Sequence, residues 1–127
     1  MRSQEKKSGF TLIELLVVLA VIATLLTIAV PRYFSSLEES REAVLQQNLA
    51  LLRETLDKYY GDKGKYPDAL DELVNSKYLR SVPVDPMTDS NATWVSVPSD
   101  QSEMGGVYDV KSGAQGIARD GTEYRNW

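Results

Sequence analysis

The chain has 127 residues, a formal net charge of −4, and neither cysteine nor histidine. Its length suggests one domain. The absent residue types exclude a disulfide framework, a thiolate nucleophile and a histidine metal cluster. The acidic balance argues against a nucleic-acid-binding protein, because such a protein needs a basic face to neutralise phosphates.

The N-terminal region combines a short basic segment with a long apolar one. Arg2, Lys6 and Lys7 precede residues 10–30, a 21-residue run whose single charged side chain is Glu14. As a helix, this run would extend roughly 31 Å, about one bilayer hydrocarbon core. The positive-inside rule places the N-terminus in the cytoplasm and the remainder outside. We therefore predict a transmembrane helix over residues 10–30.

Three interpretations of this apolar segment compete. An ordinary membrane anchor needs only the length and the apolar character. A secretory signal peptide is disfavoured, because its apolar region is shorter, about 7–15 residues, and a small-x-small cleavage site follows it. Here Pro31, Arg32 and Tyr33 follow instead. The third interpretation starts from Glu14, because a carboxylate inside a transmembrane helix costs energy and indicates a functional role with a partner.

The partner suggested for Glu14 is an α-amino group on Phe10. Cleavage after Gly9 would create this amine four residues before Glu14, on the same helical face. The two groups would pair within one chain or between staggered chains. In the second arrangement each buried charge finds its partner only in the polymer, which couples desolvation to assembly.

Residues 7–14, with the sequence KSGFTLIE, resemble the cleavage and N-methylation motif of type IV pilins and of the pseudopilins of type II secretion. The resemblance implies that a dedicated membrane peptidase and methyltransferase removes residues 1–9 as a leader and methylates Phe10. The matching residues are Gly9, Phe10 and Glu14. Pro31 also matches a proline that commonly bends the helix of these proteins where it leaves the membrane.

A helical pattern continues beyond the apolar segment. Pro31 predicts a kink rather than a stop, because no other Pro or Gly follows before Gly61. Apolar residues with 4-3-4-3 spacing form a stripe that predicts a core-facing helix. The stripe consists of Leu45, Leu49, Leu52, Leu56 and Tyr59. We predict one helix from about Phe10 to Tyr60, ended by Gly61–Gly64.

Residues 31–127 are predicted to form a globular domain built on this stripe. Asp68 is expected to cap a short helix through about Ser76, with Leu70, Leu73 and Val74 facing inward. Alternating and glycine-bounded patterns predict strands at residues 94–97, 107–110 and 116–119. The predicted fold class is α+β, with a long N-terminal helix packed on a small antiparallel sheet in a pilin-like arrangement.

The C-terminal region also resembles the major pseudopilins of type II secretion. The similar pieces include Lys65-Tyr66-Pro67, Asp85-Pro86 and Asn126-Trp127. Many type IV pilins close this region with a disulfide, so the absence of cysteine favours a pseudopilin. The resemblance implies a homo-oligomeric helical filament that starts from the bacterial inner membrane with its globular domain in the periplasm. Implied partners are the prepilin peptidase, minor pseudopilins and an inner-membrane assembly platform.

Major pseudopilins commonly bind calcium in their C-terminal loop, and this chain matches that feature only weakly. Calcium needs six to eight oxygen ligands with carboxylates among them. Ser112 matches, whereas Gln115 stands where an aspartate is expected, which leaves Ser112 and Asp120 as weak candidates. The alternative is a loop held by its own hydrogen bonds, with no cofactor. Asp109, Asp120 and Glu123 lack any nucleophile or base partner, so we expect no enzyme activity.

Two other functions stay open at the level of sequence. One is a major or minor pilin of a type IV pilus that serves adhesion, motility or DNA uptake. The other is a membrane-anchored periplasmic binding module that never polymerises. Retention of Met1 in the mature chain would favour the binding module, whereas a methylated Phe10 would favour a filament subunit.

Overall fold

The computed structural model describes residues 9–100 and 106–127. The predictions that concern residues 1–8, including the basic side chains of the leader, lie outside the described residues. The chain divides at Leu37/Glu38 into two compact units, each described by itself below. The elements are α1 (Leu12–Lys63), α2 (Leu70–Asn75), β1 (Val95–Pro98), β2 (Val107–Lys111) and a 3₁₀ turn (Tyr124–Asn126).

The described part of the first unit consists of the N-terminal half of α1 and the three residues before it. All of its described residues are exposed, from Gly9 to Leu37. The helix continues through Pro31, as predicted, because proline removes one backbone donor without ending an otherwise favourable helix. The kink at this position stays a prediction.

The second unit begins at Glu38 and contains the amphipathic half of α1. The predicted stripe is confirmed, because its five members are the buried apolar residues of this helix and expose at most 2% of their surface. Their spacing puts them on one face, and burying this face stabilises the helix more than intrinsic propensity does.

Helix α1 ends three residues later than predicted. Gly61 lies inside the last turn, and the helix continues to Lys63. Gly64 ends it with a φ of +71°, and its N–H donates to the carbonyl of Tyr60 at 2.8 Å. This left-handed glycine is a common helix C-terminus, which explains why the second glycine, not the first, sets the boundary.

Helix α2 forms as predicted, but the predicted cap at Asp68 is wrong. The N-cap residue is Ala69, and no side chain caps it. The backbone N–H of Asp68 instead donates to the Glu72 carboxylate at 2.9 Å. A carboxylate in the first turn of α2 therefore accepts the backbone N–H of the residue that precedes the N-cap. Leu73 is fully buried, whereas Leu70 and Val74 are partly buried.

The sheet has two strands among the described residues, not the three predicted. β1 and β2 are antiparallel, with Val95 opposite Lys111 and a register shift at Val97/Pro98. The predicted strand at residues 116–119 is wrong. Ile117 makes a single bridge to Glu123, after which the chain turns sharply at residues 118–122.

The core of the second unit lies between α1 and the segments that follow it. Leu73 of α2, Trp94 before β1, and Val107 and Val110 of β2 join the helix stripe in one buried cluster. Tyr124 of the 3₁₀ turn closes its other end. The predicted fold class is confirmed: the protein is an α+β chain with a long N-terminal helix packed on a small antiparallel sheet.

Candidate functional site

The first turn of α1 is fixed by a reciprocal pair of hydrogen bonds. The N–H of Glu14 donates to the Thr11 hydroxyl at 3.1 Å, and the N–H of Thr11 points to the Glu14 carboxylate at 3.5 Å. Thr11 is the N-cap, and Glu14 is the third residue of the helix. This arrangement is a capping box, in which each side chain satisfies a backbone donor of the other residue.

The two residues at the expected cleavage position lie outside the helix. Gly9 and Phe10 have no regular secondary structure, and Phe10 exposes 81% of its surface. A Cβ atom added to Gly9 would have no heavy atom within 4 Å. Nothing within the described chain therefore requires a glycine here, and the bond between Gly9 and Phe10 is accessible from solvent.

The apolar segment that follows has no covering element in its own unit. No residue in its most apolar 18-residue window is buried, and by length and composition this helix is able to cross a membrane. Its large side chains remain about half exposed, including Leu15, Leu19 and Ile22. An apolar surface of this size needs lipid or other protein chains around it.

Thr11 is the residue of this site that the sequence analysis missed. The signal was present, because Thr11-Leu12-Ile13-Glu14 matches the S/T-x-x-E pattern that marks a helix start. The pairing of Glu14 with a Phe10 amine stays a prediction. In the uncleaved chain, Glu14 has Thr11 as its partner.

The two calcium candidates have different partners in the C-terminal region. The Ser112 hydroxyl is fully buried and donates to the Asp85 carboxylate at 2.5 Å, while its oxygen accepts the N–H of Ala114 at 3.1 Å. Asp85 is also fully buried, and its second oxygen accepts the N–H of Met87 at 2.8 Å. Each carboxylate oxygen therefore has a donor within the chain.

Asp120 uses one carboxylate oxygen within its own turn. This oxygen accepts the N–H of Thr122 at 3.0 Å and its hydroxyl at 2.5 Å. The hydroxyl bond, followed by the backbone bond, holds the pKa of Asp120 below its usual value. The preceding residue, Arg119, is bound to α1: its N–H donates to Glu42 at 2.9 Å and its guanidinium to Glu39 at 3.2 Å.

These residues do not fit a calcium site. Within the described residues no three carboxylate, histidine or cysteine side chains converge as metal ligands. The Ser112 hydroxyl and Asp120 already have partners, and Arg119 brings a positive charge into the same loop. A hard divalent cation needs several free oxygens, whereas the Ser112 hydroxyl and one Asp120 carboxylate oxygen are already hydrogen-bonded within the chain.

The Arg53 side chain, in the middle of α1, binds residues of β2 and the main-chain oxygen of Trp127. Its guanidinium donates to the Asp109 carboxylate at 2.8 Å, to the carbonyl of Val110 at 3.0 Å and to the main-chain oxygen of Trp127 at 2.7 Å. The ammonium of Lys111 adds a bond to the same Trp127 oxygen at 2.9 Å. Asp109, considered above as an acid-base residue, is thus an ion-pair partner.

Two tyrosines connect α1 to neighbouring segments through carboxylates. Tyr59 donates to Glu72 at 2.7 Å, and this bond is the main reason why its pKa rises to about 12. The same bond lowers the pKa of Glu72. Tyr124 donates to Glu42 at 2.9 Å, and burial, followed by this bond, raises its pKa to about 12.

Comparison with known proteins agrees with the processing motif. The family model for the prokaryotic N-terminal methylation motif matches residues 5–30. Fimbrial protein EcpC of Eikenella corrodens is 29% identical over 94% of this chain and 80% of its own length. Type II secretion system core protein G of Escherichia coli K12 is 28% identical over 68% of this chain and 70% of its own.

A third relative is the type IV major pilin protein PilA of Myxococcus xanthus, which is 32% identical over 57% of this chain and 33% of its own length. No solved structure matched the chain. The motif match and the apolar helix within it place the chain in the class of proteins that carry a prokaryotic N-terminal methylation motif. The chain is therefore similar to type IV pilins and to type II secretion pseudopilins, and it shares their N-terminal methylation motif.

Proposed function

We propose that this protein is a structural, non-enzymatic subunit of a type II secretion pseudopilus. The precursor is inserted in the inner membrane of a bacterium with its N-terminus in the cytoplasm and its globular domain in the periplasm. Prepilin peptidase cuts it between Gly9 and Phe10 and methylates Phe10. The mature chain then assembles with its own copies, with minor pseudopilins and with an inner-membrane platform.

The observation that carries this proposal is the methylation-motif match over residues 5–30, which includes an apolar helical segment with no buried residue. The bilayer would cover this helix in the precursor, and the helices of other subunits would cover it in the filament. Cleavage would place a positive charge on Phe10 near Glu14. A neighbouring subunit's Glu14 would then neutralise that charge within an apolar assembly.

Two observations favour a pseudopilin over a pilus subunit. Relatives named type II secretion system core protein G come from several bacteria, and the chain covers about two thirds or more of each. The chain also has no cysteine with which to close a C-terminal disulfide.

The second candidate function is that of a type IV pilus subunit. It is favoured by the match to a fimbrial protein, which covers nearly the whole chain. The two functions share processing and assembly and differ in what the filament serves. They are therefore separated by the phenotype of a deletion strain, not by the N-terminus of the mature protein.

The deciding experiment deletes the gene in its native host and measures secreted proteins and surface filaments in parallel. The proposal expects a loss of proteins from the culture medium and their accumulation in the periplasm, with surface pili unchanged. The wild-type gene on a plasmid should restore secretion. Normal secretion together with a loss of surface pili would contradict the pseudopilin proposal and support a type IV pilus subunit.

We further propose that the C-terminal region of this subunit closes without calcium. The proposal is supported by the bond between Ser112 and Asp85, and by the bonds from Arg119 and Tyr124 to Glu42. These contacts join the loop to α1 and to the segment before β1 directly. Side-chain hydrogen bonds would thus do what the ion does in the calcium-binding pseudopilins that the sequence resembles.

A further inference from the structure

The start of α1 does not coincide with the start of the apolar sequence. Apolar residues begin at Phe10, yet the helix begins at Leu12, after two exposed residues without regular structure. Burial does not set this boundary, because every residue of the first described turn is exposed. The boundary is instead set by the hydrogen bonds of the capping box.

The Thr11 hydroxyl accepts the backbone N–H of Glu14, which would donate to a backbone carbonyl in a longer helix. If α1 started one turn earlier, the N–H of Glu14 would donate to the carbonyl of Phe10, four residues before it. In the structure this N–H donates to Thr11 Oγ1 at 3.1 Å. The first regular helical bond joins the N–H of Leu15 to the carbonyl of Thr11, also at 3.1 Å. The carbonyl of Phe10 therefore stays outside the helical ladder.

The sequence offers an earlier helix start that this cap prevents. Ser8 is the next residue upstream whose side chain is a good N-cap. A helix capped by Ser8 would include Gly9 and Phe10 in its first turn. The peptide bond between Gly9 and Phe10 would then lie in helical backbone. The Phe10 carbonyl would accept a hydrogen bond from the N–H of Glu14.

We propose that Thr11 is a positioning residue for precursor cleavage, because its cap holds the Gly9–Phe10 bond in non-helical backbone that a peptidase can bind. The inference rests on the proposed function, since it assumes cleavage at this bond. Hydrolysis consumes one water and breaks the bond between the Gly9 carbonyl carbon and the Phe10 nitrogen. It leaves a carboxylate on Gly9 and an ammonium group on Phe10.

The hydroxyl of Thr11 contributes more to this cap than the carboxylate of Glu14. The bond to the hydroxyl is 3.1 Å long, whereas the contact from the Thr11 N–H to the carboxylate is 3.5 Å, at the limit of a hydrogen bond.

The test measures the rate of leader removal from the full-length precursor in membranes that contain prepilin peptidase. Thr11→Val removes the hydroxyl at nearly constant shape and should slow cleavage about five-fold, the population shift expected from losing one N-cap. Thr11→Ser retains the cap and should be cleaved within about two-fold of wild type. Thr24→Val is the matched control, because its hydroxyl bonds within the helix to the carbonyl of Ala20 at 2.8 Å.

The outcomes separate this inference from the proposed function. A slow Thr11→Val beside normal Thr11→Ser and Thr24→Val supports the positioning role. If the wild-type precursor is cut after Gly9 and Thr11→Val is cut equally fast, the positioning role is refuted and the proposed function stands. If the wild-type precursor is not cut there, both are refuted.

Discussion

The two compact units of the chain differ in how they cover their apolar side chains. From Gly9 to Leu37 every residue is exposed, although most are apolar. From Glu38 onward the helix buries one stripe, and the described residues contain no buried side-chain polar atom without a hydrogen-bond partner. One helix, α1, therefore contains a segment that depends on other molecules and a segment that the chain itself covers.

The two halves of α1 therefore need different surroundings. The C-terminal half of α1 has polar residues opposite its buried stripe, so the segments that follow it in the same unit are sufficient to cover the stripe. The N-terminal half is apolar on all sides and must be surrounded. Changes in the first half should thus affect membrane residence and assembly, and changes in the second half should affect folding.

The largest effect is expected from Glu14→Ala. Loss of the carboxylate would leave the Phe10 ammonium of a neighbour unpaired in an apolar assembly. The penalty for such a buried charge should lower filament yield at least about ten-fold. Filaments are quantified by shearing and immunoblotting. Removal of residues 1–9 and thermal unfolding of the globular domain should remain normal.

The control for this variant is Glu54→Ala, which removes an exposed carboxylate that lies 3.8 Å from Lys58 on the same helix. Exposed pairs of this kind contribute little, so its filament yield should match wild type. A wild-type yield from Glu14→Ala would contradict the role of this carboxylate in assembly.

Two adjacent leucines of α1 provide a matched pair in the second unit. Leu52 exposes 0% of its surface and Leu51 exposes 44%. Leu52→Ala should lower the free energy of unfolding by about 2–5 kcal/mol because it leaves a cavity in the core. Leu51→Ala should change it by no more than about 0.5 kcal/mol. Denaturant unfolding measures both, and equal losses would contradict the described burial.

Ser112→Ala tests the closure of the C-terminal region. Removing the hydroxyl leaves one oxygen of the buried Asp85 without its donor and should cost about 1–3 kcal/mol. Ser96→Ala, an exposed serine on β1, is the control. The melting temperature of wild type should not change between excess calcium and a chelator. A clear rise with calcium would contradict closure without the ion.

The smallest effect concerns alkaline pH. The pKa values of Tyr59 and Tyr124 are raised to about 12 in the folded chain, against 10.0 ordinarily. The folded state therefore retains these protons longer than the unfolded state. Stability from the two phenols is complete below pH 10 and is lost as pH rises from 10 to 12. Tyr59→Phe and Tyr124→Phe should each flatten this decline, as measured by unfolding at stepped pH.

Patterns with strong periodicity predicted the fold well. The stripe from Leu45 to Tyr59 was predicted from spacing alone, and all of its members are buried. β2 was predicted within one residue of its observed end at Lys111. Such segments are set by a local period that burial then reinforces.

Boundaries and tertiary partners were predicted less well. Helix α1 ends at Lys63 and not at the predicted Tyr60. Two glycines follow Tyr60, and the local sequence does not show which one adopts a positive φ. In place of the strand predicted at residues 116–119, the structure has a single bridge from Ile117 to Glu123, because the chain between them makes a tight turn. The bond between Asp85 and Ser112 joins residues 27 positions apart, and no periodicity indicates such a pair.

The residues of the N-terminal site are predicted from the sequence, and their roles stay predictions. Gly9, Phe10 and Glu14 stand in a motif with fixed spacing, so the resemblance alone is sufficient to predict their roles. Thr11 was missed because the charge of Glu14 is the more conspicuous feature, although the same four residues form a capping box. The structure therefore adds a local interaction, the cap at Thr11, to a motif whose sequence points chiefly to cleavage and assembly.

In the proposed function, the exposed apolar helix belongs to a processed filament subunit. Intact-mass and N-terminal peptide mass spectrometry of the protein from native membranes tests it most directly. The expected mature chain lacks residues 1–9 and begins with a Phe10 that carries one added methyl group. A chain that retains Met1 and an unmodified junction at Gly9–Phe10 would contradict the claim.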